Sequence, residues 1–103
     1  MTDEILSPEN CVTMAEVRAA IDSLDRRIVG LLAERLRYID AAARVKTDRN
    51  AVRDEWRKAD VLAKVASAAR DNGLPADLAA MLYEQLIEYS IAHEFTRFDA
   101  KAG

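Results

Sequence analysis

A chain of 103 residues, half of them hydrophobic and only three of them glycine, is a single domain by length and suits a helical core with few loops. The formal net charge of −3 and isoelectric point near 5.1 argue against a nucleic-acid or anionic-membrane surface, which would need a basic patch large enough to tilt that balance. Cys11 is the only cysteine, which excludes an internal disulfide and makes a catalytic thiol a poor candidate. No segment approaches the ~18 apolar residues of a membrane span, and Met1-Thr2-Asp3-Glu4 is acidic rather than signal-like, so a cytoplasmic location is expected.

Residues 1–12 read as a lead-in containing the loop Ser7-Pro8-Glu9-Asn10. Thr13-Met14-Ala15-Glu16 then has the T-x-x-E form of a capping box and predicts a helix start. The periodic pattern runs to about Lys46, interrupted only by Gly30, which costs roughly 1 kcal/mol without breaking a long helix. At about 100° per residue, Val17, Ile21, Leu24, Ile28, Leu31, Arg35, Ile39, Ala42 and Lys46 fall within a sector roughly 80° wide. Two cations therefore lie on an otherwise apolar stripe. An unpaired buried charge costs several kcal/mol, so a compensating anion is expected, supplied by the protein or by a ligand. At about 1.5 Å per residue Arg35 and Lys46 lie roughly 16 Å apart along one face, within reach of a small dianion lying between them.

Thr47-Asp48-Arg49-Asn50 marks a turn. A second helix fits Arg53 to about Asp71, with Val61, Leu62, Val65 and Ala69 inward and Asp54, Arg57 and Lys58 on the same face as Val61 and Val65. Asn72-Gly73 supplies a stop, and Pro75 suits the first turn of a third helix reaching about Phe98, with residues 99–103 as a tail. Leu78, Leu82, Leu86 and Tyr89 are expected to be its buried side. Ser90 and Glu94 stand one turn apart, bordered by Tyr83, Ile87, Ile91 and Phe98; by spacing alone they read as a surface pair. An apolar border favours the protonated form of Glu94, whereas a nearby Lys46 opposes it. His93 reads as packed or interfacial, and Trp56 lies on the far face of the second helix.

The fold expected is all-α, three helices per chain over residues 1–103. A first helix of about 33 residues is close to 50 Å long, whereas a domain of this size has a radius of gyration of only ~13 Å. Its stripe needs cover from a second chain, so an intertwined helical homodimer is expected, the alternative being a kink at Gly30 and a monomeric four-helix bundle. Arg18 lies roughly 100° from Arg35 on the wheel and cannot share its pocket within one chain. In an antiparallel dimer it could complete the partner's site; otherwise it pairs with Asp22 at the surface. No zinc spacing, phosphate loop or nucleophile with its base is present, so no cofactor is implied.

The chain resembles the all-helical chorismate mutase family, in the branch that includes isochorismate pyruvate lyases. Its carriers are Pro8-Glu9-Asn10-Cys11, Val17-Arg18-Ala19-Ala20-Ile21-Asp22, Leu31-Leu32-Ala33-Glu34-Arg35, Ala43-Arg44-Val45-Lys46, Val52-Arg53-Asp54 with Arg57, and Ile87-Glu88 with Ser90. The resemblance implies a cofactor-free pericyclic reaction on a dianionic substrate. Arg18 of a partner subunit and Arg35 would hold carboxylates, and Lys46 would bond the ether oxygen and a carboxylate. Arg57 would be a further carboxylate or charge contact, Asp54 and Ser90 would help with the ring hydroxyl or second carboxylate, and Ile87 would be a further substrate-binding residue. Glu94 replaces the glutamine usual in bacterial members and could donate to the ether oxygen only when protonated, so activity falling with rising pH is expected. Lys58 replaces a glutamate that accepts from the ring hydroxyl. The Pro-Glu-Asn-Cys lead-in looks lyase-like, whereas Val52-Arg53-Asp54 and Ser90 look mutase-like. The resemblance favours rearrangement of chorismate to prephenate, with pyruvate elimination from isochorismate to give salicylate as the alternative. A non-enzymatic helical dimerisation module, with Arg35 and Lys46 paired across the dimer, is the remaining reading.

Overall fold

The computed structural model describes residues 5–101. Among these residues there is no strand, and three helices follow in order: α1 (Met14–Val45), α2 (Glu55–Asp71) and α3 (Ala76–Lys101), with short 3₁₀ turns at Pro8–Asn10 and Arg49–Ala51. The acidic start Met1–Glu4 and the last two residues of the expected tail lie outside the described residues.

Local chemistry sets the helix ends. Thr13 Oγ1 accepts from the Glu16 amide at 3.1 Å while Glu16 Oε1 accepts from the amides of Thr13 and Val12 at 2.9 and 3.0 Å, a closed capping box. These bonds, the one from Val12 foremost, hold the Glu16 carboxyl below the usual range. Asp48 accepts from the Asn50 amide at 2.9 Å and turns the chain. Asp54 is the N-cap of α2, accepting from the Arg57 amide at 3.0 Å, so this helix starts two residues later than the sequence pattern suggests. At its other end Gly73 takes a φ of 70°, and the amides of Gly73 and Leu74 donate to the carbonyls of Arg70 and Ala69. That is a Schellman closure, which requires the left-handed conformation glycine adopts without strain. The Pro75 carbonyl accepts the first bond of α3, from the Ala79 amide.

The chain forms two compact units, the first ending at Arg37 and the second beginning at Tyr38, and α1 contributes to both. In the first unit the lead-in lies beside α1, and Pro8, Cys11, Val17, Ile21, Leu24 and Arg27 border a mainly apolar groove. Within this unit the stripe is only partly covered: Ile21 is 50% and Leu31 63% exposed.

In the second unit α2 packs on α3. Val61, Leu62 and Val65 are half-buried and Ala69 is buried, as their spacing requires. Ala43, Val52 and Phe98 form a small core extended by Ile91 and Phe95, in which burying Val52 or Phe98 contributes about 1.5–3 kcal/mol each. One expectation is corrected here. The buried face of α3 carries Ala79, Ile87, Ser90, Glu94 and Phe98, whereas Leu82 and Tyr89 are 55% and 65% exposed. The helix is apolar on both sides, and its inward side is the one whose carboxylates meet lysines from the rest of the unit. Ser90 and Glu94 are consequently buried rather than a surface pair.

Candidate active site

Lys46 is the first residue after α1, its amide still bonded to the Ala42 carbonyl. From there its ammonium reaches the inner face of α3 and donates to Glu94 Oε2 at 2.7 Å. The Glu94 side chain is only 6% exposed and that of Lys46 30%. The anion that the apolar stripe calls for at Lys46 is therefore Glu94 of the same chain. One and two turns before Glu94 on the same face stand Ser90 and Ile87, both buried. Ser90 Oγ donates to the Leu86 carbonyl at 2.7 Å, the back-bonding a helical serine makes when its hydroxyl has little access to water.

The α2 residues are held by their own partners. Asp54 spends one carboxylate oxygen on its capping bond. Arg57 is exposed and donates to Asp60 at 2.7 Å; Asp60 also accepts from Lys64, and these two cations, Lys64 first, keep its carboxyl below the usual range. Lys58 donates to Glu84 at 2.6 Å and to Glu88 at 3.0 Å, and those carboxylates hold its proton more firmly than usual. Glu88 in turn accepts from both terminal nitrogens of the Arg53 guanidinium, at 2.7 and 3.3 Å. Arg53 and then Lys58 pull the Glu88 carboxyl down to about 2. Lys58 thus serves inside the chain as a link between α2 and α3.

Arg35 and Arg18 belong to the first unit, where Arg35 is half-buried and Arg18 exposed. The second unit brings Lys46, Ser90, Ile87 and Glu94 to one face of α3, and Asp54 and Arg57 to the first turn of α2.

Several polar groups here were not legible as site neighbours. His93 Nε2 lies 2.7 Å from Asp40 Oδ1, Arg97 Nε lies 3.3 Å from the same oxygen, and the His93 ring stacks on Tyr89 at 6.5 Å between centroids, in keeping with a packed histidine. Arg49 grips Asp99 through two nitrogens, at 2.9 and 3.2 Å, and its guanidinium lies 4.5 Å over the Phe95 ring. The signal for Lys58 was present in Glu84 and Glu88, two carboxylates one turn apart. None was available for Asp40 and His93, which are 53 positions apart.

The face that gathers Lys46, Glu94 and Ser90 offers an ammonium and a carboxyl side by side, beside buried apolar surface. Such a setting can stabilise charge developing on an oxygen without covalent chemistry. The family described as chorismate mutase type II matches residues 17–95. An isochorismate pyruvate lyase from Pseudomonas aeruginosa is 38% identical over 88 residues, covering 85% of this chain and 87% of that protein.

Proposed function

The chain belongs to the chorismate mutase type II family, and from that premise we propose that it rearranges chorismate to prephenate without a cofactor. The observation that carries this reading is the Lys46–Glu94 pair beside Ser90 on the buried face of α3. The reaction breaks the ether C–O bond as a C–C bond forms, with no proton or electron exchanged. Catalysis then rests on holding the folded, diaxial conformer and on meeting negative charge that grows on the ether oxygen. Arg35 and the partner subunit's Arg18 grip the carboxylates, with Arg57 as a further cationic contact. Lys46 has three donors, so it can keep Glu94 and still donate to the ether oxygen. Glu94 adds a second bond to that oxygen while protonated. Asp54, Lys58, Ile87 and Ser90 border the ring and its hydroxyl.

A second reading is favoured by the relative from Pseudomonas aeruginosa, named for pyruvate release from isochorismate. The same cations would serve it: the ether bond breaks while a ring hydrogen passes to the departing side chain, leaving salicylate and pyruvate.

The test is to give the purified protein an equal mixture of chorismate and isochorismate at mildly acidic pH and follow products by NMR. Prephenate formed first supports the mutase; salicylate and pyruvate formed first replace it with the lyase. Turnover of neither substrate overturns both readings.

A further inference from the structure

An α-helix ends with four carbonyls that have no partner within the helix, and the usual remedy is a glycine or asparagine just past the end. The end of α1 has neither: Val45 is followed by Lys46, Thr47 and Asp48. Instead, the ammonium of Lys101, in the last turn of α3, donates to the carbonyl oxygens of Ala43 (2.5 Å), Arg44 (3.2 Å) and Lys46 (2.5 Å). Three N–H groups meet three carbonyls, and the positive charge sits at the negative pole of the α1 dipole. The same ammonium lies 4.3 Å over the ring of Phe98, a member of the small core beside Ala43 and Val52. That places the cation over the ring's negative face.

One of the three capped carbonyls belongs to Lys46 itself. Lys46 is the residue at which the chain leaves the helix, so the plane of its peptide decides where its side chain starts. We propose that Lys101 is a positioning residue: by capping α1 from a distance it fixes the backbone of Lys46 and thereby aims the Lys46 ammonium at Glu94 and the site beside it. An ordinary glycine cap would end the helix equally well, but it would leave the exit direction to local torsions. A cap anchored on α3 ties that direction to the element that carries Glu94 and Ser90. The catalytic consequence rests on the function proposed above; the positional one does not.

Competitive labelling of lysine amines with trace acetic anhydride, read lysine by lysine by peptide mass spectrometry on the full chain, reports Lys46 directly. Lys64, with a side chain 70% exposed, is the internal reference. In Lys101→Met, with helical circular dichroism matching the parent, Lys46 should label about fivefold faster relative to Lys64, the scale of a weakened charge-assisted hydrogen bond. Lys101→Arg, which keeps the charge and donors, should return the ratio towards the parent value. On whichever of the two substrates the parent turns over, Lys101→Met should lower kcat about tenfold with KM nearly unchanged, as expected when a reacting group is misplaced rather than removed. An unchanged Lys46 labelling ratio in folded Lys101→Met overturns the proposal. A raised ratio with unchanged kcat upholds the aiming of Lys46 by Lys101 and overturns its catalytic consequence. If Lys101→Met does not fold, Lys101→Gln, which keeps amide donors and loses the charge, is read in the same way. A parent that turns over neither substrate removes the functional reading, while the labelling ratio still decides whether Lys101 aims Lys46.

Discussion

A buried carboxylate with a lysine ammonium 2.7 Å away is answered within its own chain, so Lys46 and Glu94 do not by themselves demand a ligand. Arg35 is the residue at which an enzyme and a dimerisation module part company. As a carboxylate grip it contributes to substrate binding and orientation, so Arg35→Ala should cost at least about a hundredfold in kcat/KM. In that role it does not hold subunits together, so the assembly should persist. As a structural partner of an acidic residue across subunits, the same change should loosen the assembly instead. Kinetics alongside sedimentation velocity on one preparation separates the two: full activity with a dissociated dimer would sink the enzymatic role. Arg35 was conspicuous from its position on the apolar stripe, because one charged residue in a helical period stands out. Glu94 was conspicuous only in combination with its neighbours, and its lysine partner lies 48 positions away.

Between elements, the bonds from Arg53 and Lys58 to Glu88 tie α2 and its N-terminal approach to α3. Arg53 and Lys58 hold Glu88 at about 2, against an ordinary 4.5. A carboxylate lowered in the folded state contributes stability in full above its unfolded value, and loses it as the pH falls through the folded one. The tie should therefore be intact at pH 6 and weaken between about pH 4.5 and 2. Thermal melts across that range should show a smaller pH dependence for Glu88→Gln, together with a lower melting temperature at pH 6; identical profiles would mean that the bonds carry no stability. At the other end of α2, Gly73 sets the turn into α3. Its φ of 70° closes α2, and a Cβ there would meet nothing within 4 Å. Gly73→Ala should therefore cost about 1–2 kcal/mol through backbone conformation alone, measurable as a shift in the urea midpoint. The start of α1 and the end of α2 were legible because each depends on residues within five positions. The inward face of α3 was not, because a helix apolar on both sides does not reveal which side its own chain will cover.

Ile21 and Leu31 of α1 in the first unit, and Leu82 and Tyr89 of α3 in the second, are apolar side chains that their own unit leaves exposed. We propose that a second copy covers them, giving an assembly of twice the 11.5 kDa chain mass by light scattering. If each site takes Arg35 from one chain and Arg18 from the other, Arg18→Ala and Arg35→Ala should each be nearly inactive alone. Refolded together in equal amounts, they should regain about a quarter of parental activity, because half the dimers are mixed and each holds one intact site. A mixture no more active than its components would show that both arginines serve from the same chain, or that no such pairing exists.

Helical periodicity and bonds spanning no more than five residues were enough to place the three helices, the cap at the start of α1, the glycine stop after α2 and the misplaced cations of α1. Tertiary structure alone decided that Lys46 meets Glu94, that Lys58 bridges to Glu84 and Glu88, and that Lys101 caps a helix ending more than fifty positions before it. Those pairings join distant parts of the chain, and several lysines and carboxylates of similar reach were available to make them. Which pairs formed depended on how α2, α3 and the end of α1 packed, a choice made by the small core around Ala43, Val52 and Phe98 rather than by any local signal.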